Sequence, residues 1–146
     1  MRRLTASLRL LTSTFAMSLA MASAWAQSAP APALSLELNA AQPSEKGCRL
    51  TFVVNNALGA DLSRAAFEIA LFNEAGGVDR LTVLDFKDLP AGKTKVARFD
   101  LAGADCGKLS RVLINSATEC AGSGVEPAAC MRGLKTSTRT AIAFGV

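Results

Sequence analysis

Beyond its first thirty residues, the chain alternates between apolar and polar side chains with a period of two. The clearest runs are LSLELNA, CRLTFVVNN and AFEIALFN, which begin at Leu34, Cys48 and Ala66. This alternation predicts β-strands with one buried face and one solvated face. The same pattern, read less strictly, predicts four further strands over residues 80–86, 95–101, 110–116 and 139–145.

Two of the later runs depart from strict alternation. The neighbouring pairs Val83-Leu84 and Val96-Ala97 each place apolar side chains on both faces of a predicted strand. A break of this kind predicts either a β-bulge or a strand that is apolar on both sides.

Turn-forming segments separate the runs, and no long stretch with a helical period occurs after residue 33. The segments NNALG, NEAGG and LPAGK are rich in the residues that favour turns. Seven short strands in one small domain predict an all-β fold, a single antiparallel immunoglobulin-like β-sandwich. The predicted core consists of apolar side chains from these strands: Leu36, Leu50, Phe52, Val54, Phe67, Ile69, Leu71, Val112, Ile114, Ile142 and Phe144.

The first 26 residues have the pattern of a secretory signal peptide. Three arginines precede an apolar stretch over residues 10–21, and Ala24-Trp25-Ala26 supplies small residues at a cleavage site. The apolar stretch is shorter than the roughly 20 residues that span a membrane, so we predict cleavage and no permanent membrane span. The predicted organisation is a signal peptide over 1–26, a disordered Pro/Ala lead over 27–33 and the sandwich domain over 34–146, in a periplasmic or secreted protein.

Removal of the signal peptide changes the net charge of the protein. The full chain has 16 Lys and Arg against 12 Asp and Glu, a net charge of +4. Three of the basic residues and none of the acidic ones precede the cleavage site, which leaves +1. Nucleic-acid binding uses a basic stripe with stacking aromatic rings, and this chain has neither. We therefore predict no nucleic-acid partner.

The four cysteines all lie in the part predicted to be exported. An even number of cysteines outside the cytosol predicts two disulfides. Zinc sites use closely spaced cysteine pairs, usually with histidine, and the chain has no CxxC pair and no histidine. Three pairings of Cys48, Cys106, Cys120 and Cys130 are open. Because Cys120 and Cys130 flank one loop that contains Gly and Pro, we favour that pair and, by elimination, Cys48–Cys106.

The stretch TFVVNNALGADLSRAAFEIALFNEAGGVDR, followed by DLPAGKTKVARFDL, resembles bacterial exported immunoglobulin-like domains of the FxLyD kind. The family pattern is a strand ending in Val-x-Asn, a polar loop, a strand of alternating hydrophobic residues ending near Phe-Asn/Asp, a Gly turn and a Pro-Gly-Lys/Glu-Thr turn before the next strand. The resemblance covers residues 51–101. It implies a sandwich that serves as a scaffold or interaction module, and it carries over no catalytic residue. The cysteine-bearing segment from Asp105 onward departs from the pattern.

Acid–base chemistry has few candidate residues in this chain. The absence of histidine excludes Ser-His and Cys-His nucleophiles. A pair of carboxylates could act as acid and base, and Asp85 and Asp88 could gather around calcium. We predict instead that the acids are solvated turn residues, with no catalytic residue, cofactor or metal. The acids concerned are Asp79, Asp85, Asp88, Asp100 and Asp105.

The segment RGLKTSTRT, residues 132–140, is the candidate interaction surface. Arg132, Lys135 and Arg139 lie in it without any acidic residue. They could contact an anionic envelope surface or another envelope protein. The alternatives are a solvated loop leading into the last strand, or basic residues that protect an edge strand from pairing.

These patterns predict a non-enzymatic exported module for binding or an accessory role, stabilised by two disulfides. One alternative is a carboxylate-based hydrolase acting on an envelope polymer. Another is a structural subunit of an envelope assembly.

Overall fold

The computed structural model describes residues 31–146, which form an all-β sandwich of two four-stranded sheets. The strands are β1 Ala33–Ser44, β2 Gly47–Ala57, β3 Leu62–Asn73, β4 Val78–Leu89, β5 Thr94–Ala102, β6 Leu109–Ala121, β7 Leu134–Thr138 and β8 Ala143–Gly145. A 3-10 turn over Cys106–Lys108 precedes β6, and a four-residue helix, α1, spans Ala129–Arg132. The predicted all-β sandwich is therefore confirmed.

The strands are distributed as in an immunoglobulin sandwich for most of the chain. Sheet I has the order β5-β2-β1-β7, and sheet II has the order β4-β3-β6-β8. The first two strands and the fifth thus share one sheet, opposite the third and sixth, which is the immunoglobulin arrangement. The last two strands depart from the expectation of seven antiparallel strands, because β7 runs parallel to β1 and β8 runs parallel to β6.

The core lies between the inner faces of the two sheets. Every predicted core residue is buried except Phe144, which is half-buried and packs against the rest. Phe52 and Phe86 stand at the centre with ring centroids 5.6 Å apart, in edge-to-face contact. Alternation in the sequence therefore identified the inner face of both sheets.

The last predicted strand is shorter than expected. Residues 139–145 were expected to form one strand, but only Ala143–Gly145 does so. The hydroxyl of Thr138 accepts a hydrogen bond from the backbone N–H of Thr140 at 3.1 Å, and the hydroxyl of Thr140 accepts one from Ile142 at 3.1 Å. These local side-chain bonds replace ladder bonds and turn the chain, so strand pairing resumes only on the other sheet.

Both favoured disulfides are present. Cys48, in β2, is bonded to Cys106, in the turn before β6, and Cys120, in β6, is bonded to Cys130, in α1. The described residues contain no free cysteine. The first bond joins sheet I to the connection that enters β6, and the second holds the segment that leads from β6 to β7.

Asn56 joins the two sheets at one end of the sandwich. It is 1 % exposed, although its side chain is polar. Its amide donates to the carbonyl of Leu89, at the end of β4, at 2.7 Å and to that of Ala60 at 2.9 Å. Its Oδ1 accepts from the N–H of Leu58 at 3.0 Å. All of its bonds therefore fix backbone, which is how a polar side chain is accommodated in a core.

The predicted signal peptide and most of the predicted lead lie outside the described residues. Strand β1 begins at Ala33, one residue before the predicted start of the domain. Within residues 31–146, no helix has the length and apolarity needed to cross a membrane.

Candidate functional site

The basic residues expected to form an interaction surface are spread over three local structures. Arg132 ends α1, Lys135 lies in β7 and Arg139 follows β7. Arg132 forms a salt bridge with Glu126 at 2.9 Å, and Arg139 forms one with Glu37 at 3.0 Å. Of these three residues, Lys135 is the one that forms no salt bridge with a described residue. The segment is therefore mostly charge-compensated.

The solvated loop expected over part of this segment is not present, because Leu134–Thr138 is an edge strand of sheet I. It pairs in parallel with β1 from Leu34 to Leu38. Gly133 allows the close approach that starts this pairing: its carbonyl accepts from the N–H of Leu34 at 3.0 Å, and a side chain at Gly133 would meet the carbonyl of Pro32 at 2.7 Å. The sequence hid this strand because LKTST contains only one large apolar residue.

The carboxylates considered for acid–base chemistry each face a cation. The pairs are Asp79–Arg80 at 2.9 Å, Asp85–Arg64 at 2.9 Å, Asp88–Lys95 at 3.4 Å, Asp100–Arg49 at 2.9 Å and Asp105–Lys108 at 4.0 Å. Within residues 31–146, no group of three or more acids and cysteines is placed to hold a metal ion. Asp85 and Asp88 bind different cations, and no described contact brings them together around a shared ion.

Asp85 has the strongest electrostatic environment of these acids. Arg64 donates to its Oδ2 at 2.9 Å, the ammonium of Lys87 does so at 2.7 Å, and the backbone N–H of Lys87 donates to Oδ1 at 2.9 Å. These hydrogen bonds, Arg64 first, hold the pKa of Asp85 well below its usual range. The backbone of Lys87 is left-handed, with φ 62°, so Asp85 also stabilises a local bulge. Asp85 therefore has a structural role, in which its carboxylate binds the basic groups of Arg64 and Lys87.

Three surface concavities have acidic residues in their lining. One of about 640 Å³ contains Glu45 and Asp100 together with Lys46 and Arg49, and one of about 340 Å³ contains Asp79 and Asp105 together with Arg80 and Lys108. The third, about 490 Å³, lies beside α1 and is lined largely by small and apolar residues, with Glu126 and Arg132. None of the three holds two carboxylates without a cation, which is the arrangement that a carboxylate hydrolase needs.

The most distinctive surface is apolar and follows β4, at the edge of sheet II. Val78, Leu81 and Val83 on β4 are 57 %, 55 % and 51 % exposed. The register places Ala70 of β3 opposite Leu81 on one side and opposite Leu113 of β6 on the other. We call these five residues the β4 surface. Ala70 is 4 % exposed and Leu113 is partly exposed, so the exposed apolar area comes from the three β4 side chains. An exposed group of apolar side chains of this kind is typical of an interaction site.

Polar residues border the β4 surface. The guanidinium of Arg111 lies 5.7 Å from the ring centroid of Phe72, which is opposite Val78. On the other side of the patch, Glu68 is opposite Val83 and accepts from Asn115 at 2.6 Å. An apolar centre with a polar rim is the usual anatomy of a protein–protein interface.

Side chains bridge β4 and β5 near both ends of β4 and leave the middle of the β4 edge open. Arg80 donates to the carbonyl of Ala102, in β5, at 2.8 Å. Lys95, also in β5, donates to the carbonyls of Phe86 and Asp88 at 3.1 and 2.8 Å. Between these bridges, residues 81–85 pair regularly with β3, and no described strand pairs with their outer side.

The sequence contained one signal for the β4 surface. The predicted break of alternation at Val83-Leu84 is confirmed as a strand with two apolar faces, because Leu84 is 3 % exposed while Val83 is more than half exposed. The bulge alternative is wrong at this position, because Val83 and Leu84 pair regularly with β3; the bulge of β4 lies at Lys87. The sequence alone does not predict which of the two faces is buried or whether the strand lies at an edge, because both depend on the order of strands in the sheet.

Comparison with known protein families, characterised proteins and solved structures found no match for this chain. The fold and the surfaces described above are therefore the basis for a functional hypothesis.

Proposed function

We propose that this protein is a non-enzymatic exported module that binds a partner through the β4 surface. The observation that carries the proposal is the group of exposed apolar side chains at Val78, Leu81 and Val83. Burying such side chains is favourable by roughly 25 cal/mol per Å² of apolar area. A soluble domain that leaves them together on one open edge has a surface suited to a protein partner.

Export is supported by two independent features. The cysteines are all paired within the described residues. Disulfides persist outside the cytosol and are rare inside it. The sequence pattern of residues 1–26 is that of a signal peptide, and a periplasmic or secreted location agrees with both features. The resemblance to exported domains of the FxLyD kind points in the same direction.

The non-enzymatic part of the proposal is supported by the acids of the described surface. Each acid considered for catalysis has a cation within 4.0 Å. A general acid with a raised pKa needs a desolvated or acid-rich environment, whereas Asp85 and Asp100 have lowered pKa values because of their arginine partners.

Site-specific cross-linking tests the proposal. A photoreactive amino acid is placed at Val83 on the β4 surface, and at Val96 in the matched control. Val96 is 56 % exposed on β5, the edge strand of the other sheet. In cells that export the protein, we expect discrete cross-linked adducts from position 83 and none from position 96. Leu81→Lys in the position-83 protein is expected to abolish the adducts.

The outcome that would contradict the proposal is equal labelling at the two positions, or adducts that survive Leu81→Lys. Turnover of envelope polymers by the purified protein, lost on substitution of a paired acid such as Asp79→Asn, would favour the hydrolase alternative instead.

A further inference from the structure

We infer that the β4 surface binds a second copy of this chain, with β4 pairing antiparallel to its counterpart about a two-fold axis through Thr82. The two copies of sheet II would then join into one eight-stranded sheet. The inference deepens the proposed function, since it uses the same surface and names one partner. It follows from the geometry of the edge, the register and the charges.

The geometry of the edges favours β4 over the other three edge strands. Strands β7 and β8 are five and three residues long. Strand β5 carries Lys95 and Arg98 on either side of its one exposed valine, and charged residues of this kind protect an edge from pairing. In β4, residues 81–84 contain no charge and no proline. Residues 81–84 of β4 are therefore the stretch of edge strand that lacks such protection within the described chain.

The register follows from matching apolar side chains. In a two-fold antiparallel pair, residues directly opposite each other share a face of the sheet. An axis through Thr82 places Leu81 of each copy opposite Val83 of the other. An axis through Leu81 would instead bring Val83 beside Asp79, and an axis through Val83 would bring Leu81 beside Asp85. Only the axis through Thr82 pairs both Leu81 and Val83 with apolar partners.

The charges at the ends of this pairing compensate one another. The same register brings Asp79 of one copy towards Asp85 of the other. Each acid already has its own cation: Arg80 lies 2.9 Å from Asp79, and both Arg64 and Lys87 contact Asp85. Arg64 also contacts Glu119 at 3.1 Å, so each end of the interface contains three acids and three cations, and the carboxylates do not meet unopposed.

The interface is short, because the bridges from Arg80 and Lys95 to backbone carbonyls limit the open edge to residues 81–85. A pairing of this length buries less than the roughly 1,200–2,000 Å² of a standard interface. We expect a reversible, concentration-dependent dimer.

Disulfide trapping with purified protein tests the inference. Thr82→Cys places a thiol on the proposed axis, where the Cα atoms of opposite residues are about 4.5–5.5 Å apart and a disulfide can form. Val96→Cys, on the other edge strand, is the matched control. Under mild oxidation, we expect Thr82→Cys to give a covalent dimer on a non-reducing gel and Val96→Cys to stay monomeric. Dimers from both variants alike, or from neither, would overturn the inference.

A second measurement keeps the test independent of new thiols. Sedimentation equilibrium over a range of concentrations should show the unmodified protein and Val96→Lys associating, and Leu81→Lys remaining monomeric. A monomer at every concentration would overturn the inference. It would not affect the proposed function, because the β4 surface could still bind a different partner, which the cross-linking experiment tests. A dimer that persists in Leu81→Lys would also overturn it.

Discussion

One row of residues across the outer face of each sheet shows how the two sheets differ. The row is half polar in sheet I and contains no polar side chain in sheet II. In sheet I the row crosses the strands as Val96, Val53, Glu37 and Ser137. In sheet II it crosses them as Leu81, Ala70, Leu113 and Gly145. The inner faces of both sheets have the same apolar pattern, so they account for the fold but do not indicate a function. We propose that this difference between the outer faces separates a solvated face from an interaction surface.

The two edge strands that lie on the same side of the sandwich show the same contrast. Lys95 of β5 occupies the carbonyls of Phe86 and Asp88, which closes one end of the β4 edge, and Arg80 of β4 occupies the carbonyl at the end of β5. Between these bridges the exposed side chains of β4 are apolar, whereas on β5 the charged Lys95 and Arg98 flank the exposed Val96. An exposed edge is therefore not sufficient for docking; the side chains beside it decide.

The largest expected effect comes from removing the bonds that hold each sheet in place. In the chain-entropy model, the Cys48–Cys106 bond, with a separation of 58 residues, contributes about 4 kcal/mol to the free energy of unfolding, and Cys120–Cys130, with a separation of 10, about 3 kcal/mol. Urea unfolding of Cys48→Ala/Cys106→Ala and of Cys120→Ala/Cys130→Ala should show this order. The reverse order would mean that the connection into β6 is held without its disulfide.

The second effect tests the link between the sheets at Asn56. Asn56→Ala leaves the carbonyls of Leu89 and Ala60 and the N–H of Leu58 without this partner. Because an unpaired buried polar group costs about 1–3 kcal/mol, we expect a loss of at least that size in the free energy of unfolding. Asn55→Ala is the matched control, since that neighbouring side chain bonds in an exposed position. Equal losses in the two variants would contradict the role of Asn56.

The third effect compares the acid sensitivity of the two sheets. Asp85 on sheet II and Asp100 on sheet I both have lowered pKa values, because Arg64 and Arg49 respectively hydrogen-bond to them, and the shift is larger for Asp85. A lowered folded-state pKa gives stability that is complete above the unfolded value of about 3.9 and is lost as the pH falls below it.

We therefore expect Asp85→Asn to flatten the fall of stability below about pH 4 more than Asp100→Asn does. Urea midpoints measured from neutral pH down to the acid range check this. If Asp100→Asn flattened the curve more, the bonds from Lys87 to Asp85 would not contribute as described.

The inner face of the fold could be predicted from the sequence, and the outer face could not. Alternation located Leu36, Phe52 and Ile69 in the core because a period of two is a local property of a strand. The pairing of the four cysteines was also predictable, since Cys120 and Cys130 flank a single loop. The exposed fraction of Val83 was not predictable, because it depends on β4 lying at the edge of sheet II, which is a property of the whole topology.

The C-terminal segment shows the same limit from another side. Strand β7 has little apolar content, and its pairing with β1 depends on contacts 100 residues apart in sequence, such as Thr138 with Leu38. Within the predicted cationic surface, Arg139 is salt-bridged to Glu37, which lies far away in sequence. The spacing of residues along the chain could not predict either contact.

The most direct test of the account is amide hydrogen exchange in the unmodified protein at low and at high concentration. If a second copy pairs with β4, the amides of residues 81–85 should become more protected at high concentration, while those of residues 96–100 in β5 should not change. Protection that is independent of concentration at residues 81–85, or that rises equally on both edge strands, would contradict the claim that β4 is the docking edge.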